Sequence, residues 1–276
     1  MKTPALLLAS ALFLAAALHA ETTPLTDPVP DATETEIACE LTQAPPFSQV
    51  PVFTSQKESE TAKGTYHYKL WLPQGYAADA QKRWPCVFIM SAGGNAEMGN
   101  MAGSLKSRSF IVVMLTDAKN GEWAPIVGNF LTAHDDVTKR VRVDETKKYA
   151  TGQSGGARGS SVFVQLRPGF CGLIMQSAGA SSSEITNNYN VNGLKRNARL
   201  YIAMTMGASD SNKTEVARMA QLLSPAHFTS FEFNGGHEWA PADVFEKAMA
   251  WLDSKTSKTT GGTATGGSFD DFFKKQ

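Results

Sequence analysis

The chain has 276 residues and a mass of 29.7 kDa, a length that fits one large α/β domain or two small ones. Hydrophobic residues make up 42 % of the chain, which is enough for a sizeable core. Lys and Arg together number 26, as do Asp and Glu, so the formal net charge is zero. The sequence has no basic stripe or polybasic run, so we expect a small or neutral molecule as partner, and no nucleic acid.

The N-terminus has the pattern of a signal peptide over residues 1–20. Lys2 supplies a positive charge, residues 5–18 are almost wholly apolar, and small residues that permit cleavage precede the polar segment from Glu21. The apolar stretch is short for a bilayer span, so a signal anchor is the less favoured interpretation. The pattern predicts a secreted or periplasmic protein with no stable membrane insertion after signal removal.

Export permits disulfides, and the chain has three cysteines, Cys39, Cys86 and Cys171. Three cysteines allow one bridge and one free thiol, with three possible pairings. Cys86 lies in an apolar run, where simple burial is the alternative. The sequence leaves the pairing open.

The central part of the chain alternates between strand and helix patterns. Residues 21–50 are rich in Pro, Thr and acidic residues, which is typical of an extended lead-in and not of a core element. Strands are predicted at 65–72, 85–90, 110–115, 148–151, 173–176, 200–206 and 228–233. Helices are predicted at 126–142, 157–166, 213–223 and 242–252. This order predicts an α/β domain over residues 51–254, with a mostly parallel sheet and helices on both faces.

Residues 255–276 differ in composition from the rest of the chain. A Gly/Thr/Ser linker is followed by three phenylalanines, Phe269, Phe272 and Phe273. A disordered end and a short docking motif are the two interpretations of this tail.

Residues 152–156 read Gly-Gln-Ser-Gly-Gly and match the pattern G-x-S-x-G. In this pattern a sharp turn between a strand and a helix lifts a serine hydroxyl out of the backbone, and glycines leave room for it. The segment has a predicted strand before it and a predicted helix after it. We therefore expect Ser154 to be a nucleophile, with a Gly/Ser loop without chemistry as the alternative.

A serine nucleophile needs a base and an acid that orients the base. Asp210 and His237 follow Ser154 in the order Ser, Asp, His, each just beyond a predicted strand. A helix N-cap is the alternative role for Asp210. Asp117 is a weaker candidate acid, because it precedes the serine. The other histidines, His67, His134 and His227, are less well placed.

Acyl transfer also needs backbone N–H donors for the oxyanion. One donor is expected at Gly155, directly after the nucleophile. The other is expected in the loop after the strand at 85–90, at Ala92, with Gly93 as the next candidate.

These motifs resemble the secreted esterases of the α/β-hydrolase superfamily, in particular polyhydroxybutyrate depolymerase-like and feruloyl or acetylxylan esterase-like proteins. The resemblance rests on residues 143–157, Asp210 and residues 236–239, and it extends over about residues 65–252. It implies an α/β-hydrolase fold and a serine esterase that needs no metal or organic cofactor. Many relatives have His-Gly at the start of the oxyanion loop, where this chain has Met90-Ser91.

The segment between the strands at 173–176 and 200–206 is too short for a large lid domain. The site is therefore expected to be open and to suit small-molecule or polymeric esters. Possible substrate-binding residues are Gly93, Trp123, Gln153 and Trp239, of which the two tryptophans have core packing as an alternative. A peptidase or amidase on the same fold and a non-catalytic binding protein are the alternative functions.

Overall fold

A computed structural model describes residues 29–183 and 188–257 of the chain. The predicted signal peptide and residues 258–276 of the predicted tail lie outside the described residues. The strands are β1 (Glu34–Leu41), β2 (Gly64–Trp71), β3 (Trp84–Ser91), β4 (Ile111–Leu115), β5 (Val143–Gln153), β6 (Phe170–Gln176), β7 (Tyr201–Gly207) and β8 (Phe228–Phe233). The α-helices are α1 (Gln56–Glu60), α2 (Ala102–Ser107), α3 (Trp123–Arg140), α4 (Gly155–Leu166), α5 (Asn192–Arg196), α6 (Thr214–Leu222) and α7 (Ala242–Thr256).

The strands form one sheet in the order β1-β2-β4-β3-β5-β6-β7-β8. The pairs β1–β2 and β2–β4 are antiparallel, and the other five pairs are parallel. The sheet is therefore mostly parallel, as predicted. Because β3, β5, β6, β7 and β8 all run the same way, the loops that follow them meet at one edge of the sheet.

The central strands are continuous apolar runs because both of their faces are covered. In β3, Phe88 packs into the core on the α3 and α4 side, whereas Ile89 packs into the core on the α2 and α7 side. Phe130 of α3 and Phe163 of α4 stack with ring centroids 4.3 Å apart, which fixes these two helices against one another.

The prediction that residues 21–50 contain no core element is wrong for β1. Ile37, Cys39 and Leu41 alternate with exposed residues and are buried against the α3 side of the sheet. In the second half of β1 only every second residue is buried, because this edge strand has one buried face. That alternation was the available signal for the strand.

All three cysteines are free and buried, so none of the three possible pairings is formed. Burial raises the thiol pKa of Cys39 to about 12 and that of Cys171 to about 11, and it raises the pKa of Cys86 further. The thiols therefore stay protonated and act as small core side chains.

The connection between β6 and β7 contains only the short helix α5 in its described part, and no large lid domain is present there. Across residues 29–183 and 188–257, no helix is both long and apolar enough to cross a membrane.

Candidate active site

Ser154 lies at the turn between β5 and α4, with φ 57° and ψ −119°. This backbone conformation is strained for a residue with a side chain, and such strain concentrates at functional sites. The Ser154 amide donates a hydrogen bond of 2.9 Å to the carbonyl oxygen of Gln176 on the neighbouring strand β6. The sheet therefore holds the turn in place.

The glycines on either side of Ser154 are required by close backbone packing. A Cβ atom at Gly152 would lie 2.4 Å from the carbonyl carbon of Gly156, and one at Gly156 would lie 2.1 Å from the carbonyl oxygen of Met90. Helix α4 begins this close to β3 only because neither residue has a side chain.

Ser154, His237 and Asp210 form one hydrogen-bonded chain. The Ser154 Oγ atom lies 2.8 Å from His237 Nε2, and His237 Nδ1 lies 3.0 and 3.1 Å from the two carboxylate oxygens of Asp210. The Asp210 side chain is fully buried, whereas 39 % of the His237 side chain is exposed. In this geometry His237 is in position to take a proton from the serine while Asp210 fixes the imidazole tautomer.

Asp210 follows β7 and His237 follows β8, and these neighbouring parallel strands bring the two loops together. Asp210 is not the N-cap of the next helix, since that position belongs to Lys213. One Asp210 oxygen also accepts the Asn212 amide at 2.8 Å, which helps to orient the carboxylate.

The remaining histidines lie away from Ser154 and have other partners. His227 donates from Nδ1 to the carbonyl of Leu200 at 3.0 Å. His134 is buried within α3. His67 Nδ1 lies 3.0 Å from Asp117 Oδ2, so the weaker candidate acid belongs to a second, separate His–Asp pair.

The two predicted oxyanion donors lie on neighbouring strand ends, because β3 and β5 are parallel partners. The Gly155 amide opens α4 and therefore has no acceptor within its own helix. Ala92 directly follows β3. The Ser91 carbonyl accepts the Gly94 amide at 3.1 Å and its hydroxyl accepts the Gly93 amide at 3.4 Å, so Ser91 supports the turn at the position where the sequence departs from the family pattern.

The four predicted substrate-binding residues are at different positions around the site. The Gln153 side-chain amide approaches the carbonyl of His237 at 3.5 Å, and Gly93 is exposed on the oxyanion loop. Trp239 is half-buried and packs against the core on the α7 side. Trp123 is half-buried and lies in the first turn of α3, which begins three residues before the helix predicted at 126–142. It packs against the core on the α3 and α4 side.

A cleft of about 720 Å³ has none of Ser154, Asp210 and His237 in its walls. Its walls come from the segment before and within α1, the start of α3 and the loop after β6. They consist of Pro51, Val52, Phe53, Thr54, Ser55, Lys57, Glu58, Thr61, Gly121, Glu122, Trp123, Ala124, Ser182 and Ser183. Of the predicted substrate-binding residues, Trp123 lines this cleft.

Two residues at the end of β6 support the site and were not predicted from the sequence. The Gln176 side chain accepts the Ala240 amide at 3.1 Å and donates to the Thr151 hydroxyl at 3.0 Å. The Ser177 hydroxyl donates to the Glu238 carbonyl at 2.7 Å. Polar residues directly after a buried apolar strand were the signal that could have identified them.

No protein-family model matches the sequence, and no curated protein matches it. Solved structures do match the fold. The S-formylglutathione hydrolase FrmB from Staphylococcus aureus has a TM-score of 0.55 at 13 % identity, over 80 % of this chain and 99 % of its own. A ferulic acid esterase has a TM-score of 0.53 at 16 % identity, over 81 % and 98 %. The fluorophosphonate-binding serine hydrolase FphF from Staphylococcus aureus has a TM-score of 0.51 at 12 % identity, over 79 % and 98 %. The sheet order and these similarities together establish that the chain has the α/β-hydrolase fold.

Proposed function

We propose that the protein is a serine hydrolase that cleaves carboxylic esters through an acyl-enzyme intermediate. The observation that carries the proposal is the continuous contact from Ser154 Oγ to His237 and from His237 to the buried carboxylate of Asp210. The strained backbone of Ser154 supports the same role, because it exposes the hydroxyl above the end of the sheet.

In the proposed reaction, Ser154 Oγ attacks the ester carbonyl carbon while His237 takes the hydroxyl proton. The amides of Gly155 and Ala92 stabilise the negative charge on the carbonyl oxygen. The C–O bond to the alcohol then breaks, and His237 returns the proton to the leaving alcohol. Water then attacks the acyl carbonyl carbon while His237 takes a proton from it. The bond to Ser154 Oγ breaks, His237 returns the proton to the serine, and the acid leaves.

The proposed substrates are esters with a bulky or polymeric part. Two observations support this choice: the absence of a large lid in the described residues, and the cleft that has Trp123 on its wall. Gly121, on the wall of this cleft, directly follows Asn120, whose side chain touches Gly155, the residue after Ser154.

Labelling with a fluorophosphonate probe tests the nucleophile. We expect the wild type to be labelled and Ser154→Ala to remain unlabelled, with turnover of an active ester lowered about 10⁴- to 10⁶-fold in the variant. Equal labelling of both proteins would assign the nucleophile to another residue, and an unlabelled wild type would refute the hydrolase proposal.

A substrate panel then tests the bond that is cleaved. Short acyl esters, feruloyl esters and polyesters should be hydrolysed faster than matched peptides and amides. Cleavage of amides without cleavage of esters would favour the peptidase or amidase alternative.

We also propose export to the periplasm or the medium, which is supported by the charge and apolar pattern of residues 1–20. N-terminal sequencing of the protein from its source cells should find a mature chain that begins near Glu21. A chain that retains Met1 or Lys2 would contradict removal of a signal peptide.

A further inference from the structure

Asn120 lies between the two proposed oxyanion donors. Its backbone amide donates a hydrogen bond of 2.8 Å to the carbonyl oxygen of Ala92. Its side chain rests on Gly155, since a Cβ atom built on Gly155 would lie 1.5 Å from Asn120 Oδ1 and 3.1 Å from Nδ2. One residue of the loop after β4 therefore touches both halves of the proposed oxyanion hole.

The position of the Asn120 carboxamide depends on the missing side chain of Gly155. A side chain at position 155 would occupy this space, and here the Asn120 carboxamide fills it. The side chain of Asn120 is exposed, and no hydrogen bond from it to the protein is present in the parts of the chain that the structure describes. Its NH₂ group therefore has donors available for a bound molecule.

We propose that the Asn120 side-chain amide is a third donor of the oxyanion hole, next to the amides of Gly155 and Ala92. This inference rests on the proposed ester hydrolysis. As Ser154 attacks, negative charge builds up on the substrate carbonyl oxygen, and the Asn120 NH₂ group donates a hydrogen bond to it. No proton is transferred; the donor stabilises charge that exists only in the transition state and the intermediate.

Two substitutions separate this role from simple packing. Asn120→Ala removes the donor, and Asn120→Asp keeps the shape of the side chain but replaces the donor with a carboxylate. A donor role predicts that Asp is worse than Ala, because its charge repels the oxyanion. A packing role predicts the opposite order, because Asp fills the same space as Asn.

The measurements are kcat and KM for a p-nitrophenyl ester, the inhibition constant of a trifluoromethyl ketone that mimics the intermediate, and fluorophosphonate labelling. We expect Asn120→Ala to lower kcat about 10²-fold with KM nearly unchanged, and to weaken inhibition in parallel. Asn120→Asp should lower kcat further and weaken inhibition by the ketone further. Lys119→Ala is the matched control, because Lys119 is an exposed neighbour in the same loop, and this variant should keep wild-type kcat.

A wild type that is labelled, together with an Asn120→Ala variant whose kcat stays within threefold of it, would overturn this inference alone. The same holds if Asn120→Asp is more active than Asn120→Ala. A wild type that is neither labelled nor active would overturn both this inference and the proposed function.

Discussion

The carbonyl oxygen of Gln176 accepts the amide of Ser154, the proposed nucleophile, at 2.9 Å, while the side chain of the same residue holds the loop that carries the proposed base. The Gln176 Oε1 atom accepts the amide of Ala240, three residues after His237, at 3.1 Å. Gln176 is fully buried, so water does not compete for these hydrogen bonds. One residue thus contacts both the turn of the proposed nucleophile and the loop of its proposed base.

Gln176→Leu should loosen the His237 loop while it leaves the backbone hydrogen bond to Ser154 in place. The Ala240 amide and the Thr151 hydroxyl would lose their partner, at a cost of about 1–3 kcal/mol of unfolding free energy for each group. A shift of the His237 loop by about 1 Å should lower kcat up to about 10²-fold. Denaturant unfolding and ester hydrolysis measure the two effects.

Gln165→Leu is the matched control for this substitution. Gln165 donates to the carbonyls of Ser161 and Asn190, and it has no contact with the triad. The variant should lose stability but keep the wild-type kcat. If both glutamine variants have equal kcat, Gln176 does not position the base.

Asp210→Asn should abolish most activity without unfolding the protein. The amide is isosteric with the carboxylate, but it favours the wrong tautomer of His237 and does not stabilise its cation. We expect kcat to fall about 10⁴-fold. Asp117→Asn is the control, because Asp117 is in contact with His67 at a comparable 3.0 Å. A comparable loss in both variants would mean that the Asp210 contact has no special role.

Gly156→Ala should disrupt the turn at the nucleophile. The added methyl group would meet the Met90 carbonyl oxygen at 2.1 Å, so α4 or β3 has to move. Overpacking of this kind costs about 1–3 kcal/mol, and the displaced serine should lose most of its turnover. Gly103→Ala in α2 meets nothing within 4 Å and should be neutral or stabilising by up to about 1 kcal/mol. Thermal unfolding of the two variants compares them directly.

His134 should make the protein sensitive to mild acid. Burial lowers its pKa to about 4 from 6.5, and the ammonium group of Lys148 lowers it as well, whereas Asp135 opposes the shift. The native histidine is therefore neutral, and its Nε2 atom lies 3.1 Å from Lys148 Nζ and accepts a hydrogen bond from it.

The direction of the pH effect follows from which state binds the proton. Unfolded chains protonate His134 below pH 6.5, but the native protein does so only near pH 4, so stability falls as the pH is lowered across this window. The loss approaches about 3 kcal/mol at the acid end. His134→Gln should remove this dependence between pH 6.5 and 5 in denaturant titrations. If the variant's stability falls with pH as steeply as that of the wild type in this interval, His134 is not the group responsible.

Asp135 affects the stability of the protein at a lower pH than His134 does, so it does not interfere with the His134 test. Burial alone would raise the pKa of this carboxyl, but hydrogen bonds from Arg167 and His134 lower it below its ordinary value of 3.8. Its contribution to stability is present above that value and is lost as the pH falls further.

Much of the fold follows from periodicity. The strand prediction at 228–233 matches β8 residue for residue, and the other predicted strands and helices overlap observed ones with ends shifted by a few residues. The β5 prediction was short because residues 143–147 are largely polar, and the β6 prediction was short because residues 170–172 directly follow a turn and include a glycine. β1 was missed because an edge strand with one exposed face has a weaker pattern than a central strand.

Sequence alone predicted the three residues of the candidate triad, because Ser154 is in a recognisable turn pattern and Asp210 and His237 follow buried strands in the required order. Only the tertiary structure identified the residues that surround these three. Gln176 and Asn120 are on loops and strand ends far from Ser154 in the chain, and their contacts with the site arise from the sheet order and from close packing at glycines. Local patterns record burial and turns, whereas a hydrogen bond between distant segments depends on where the whole sheet brings them.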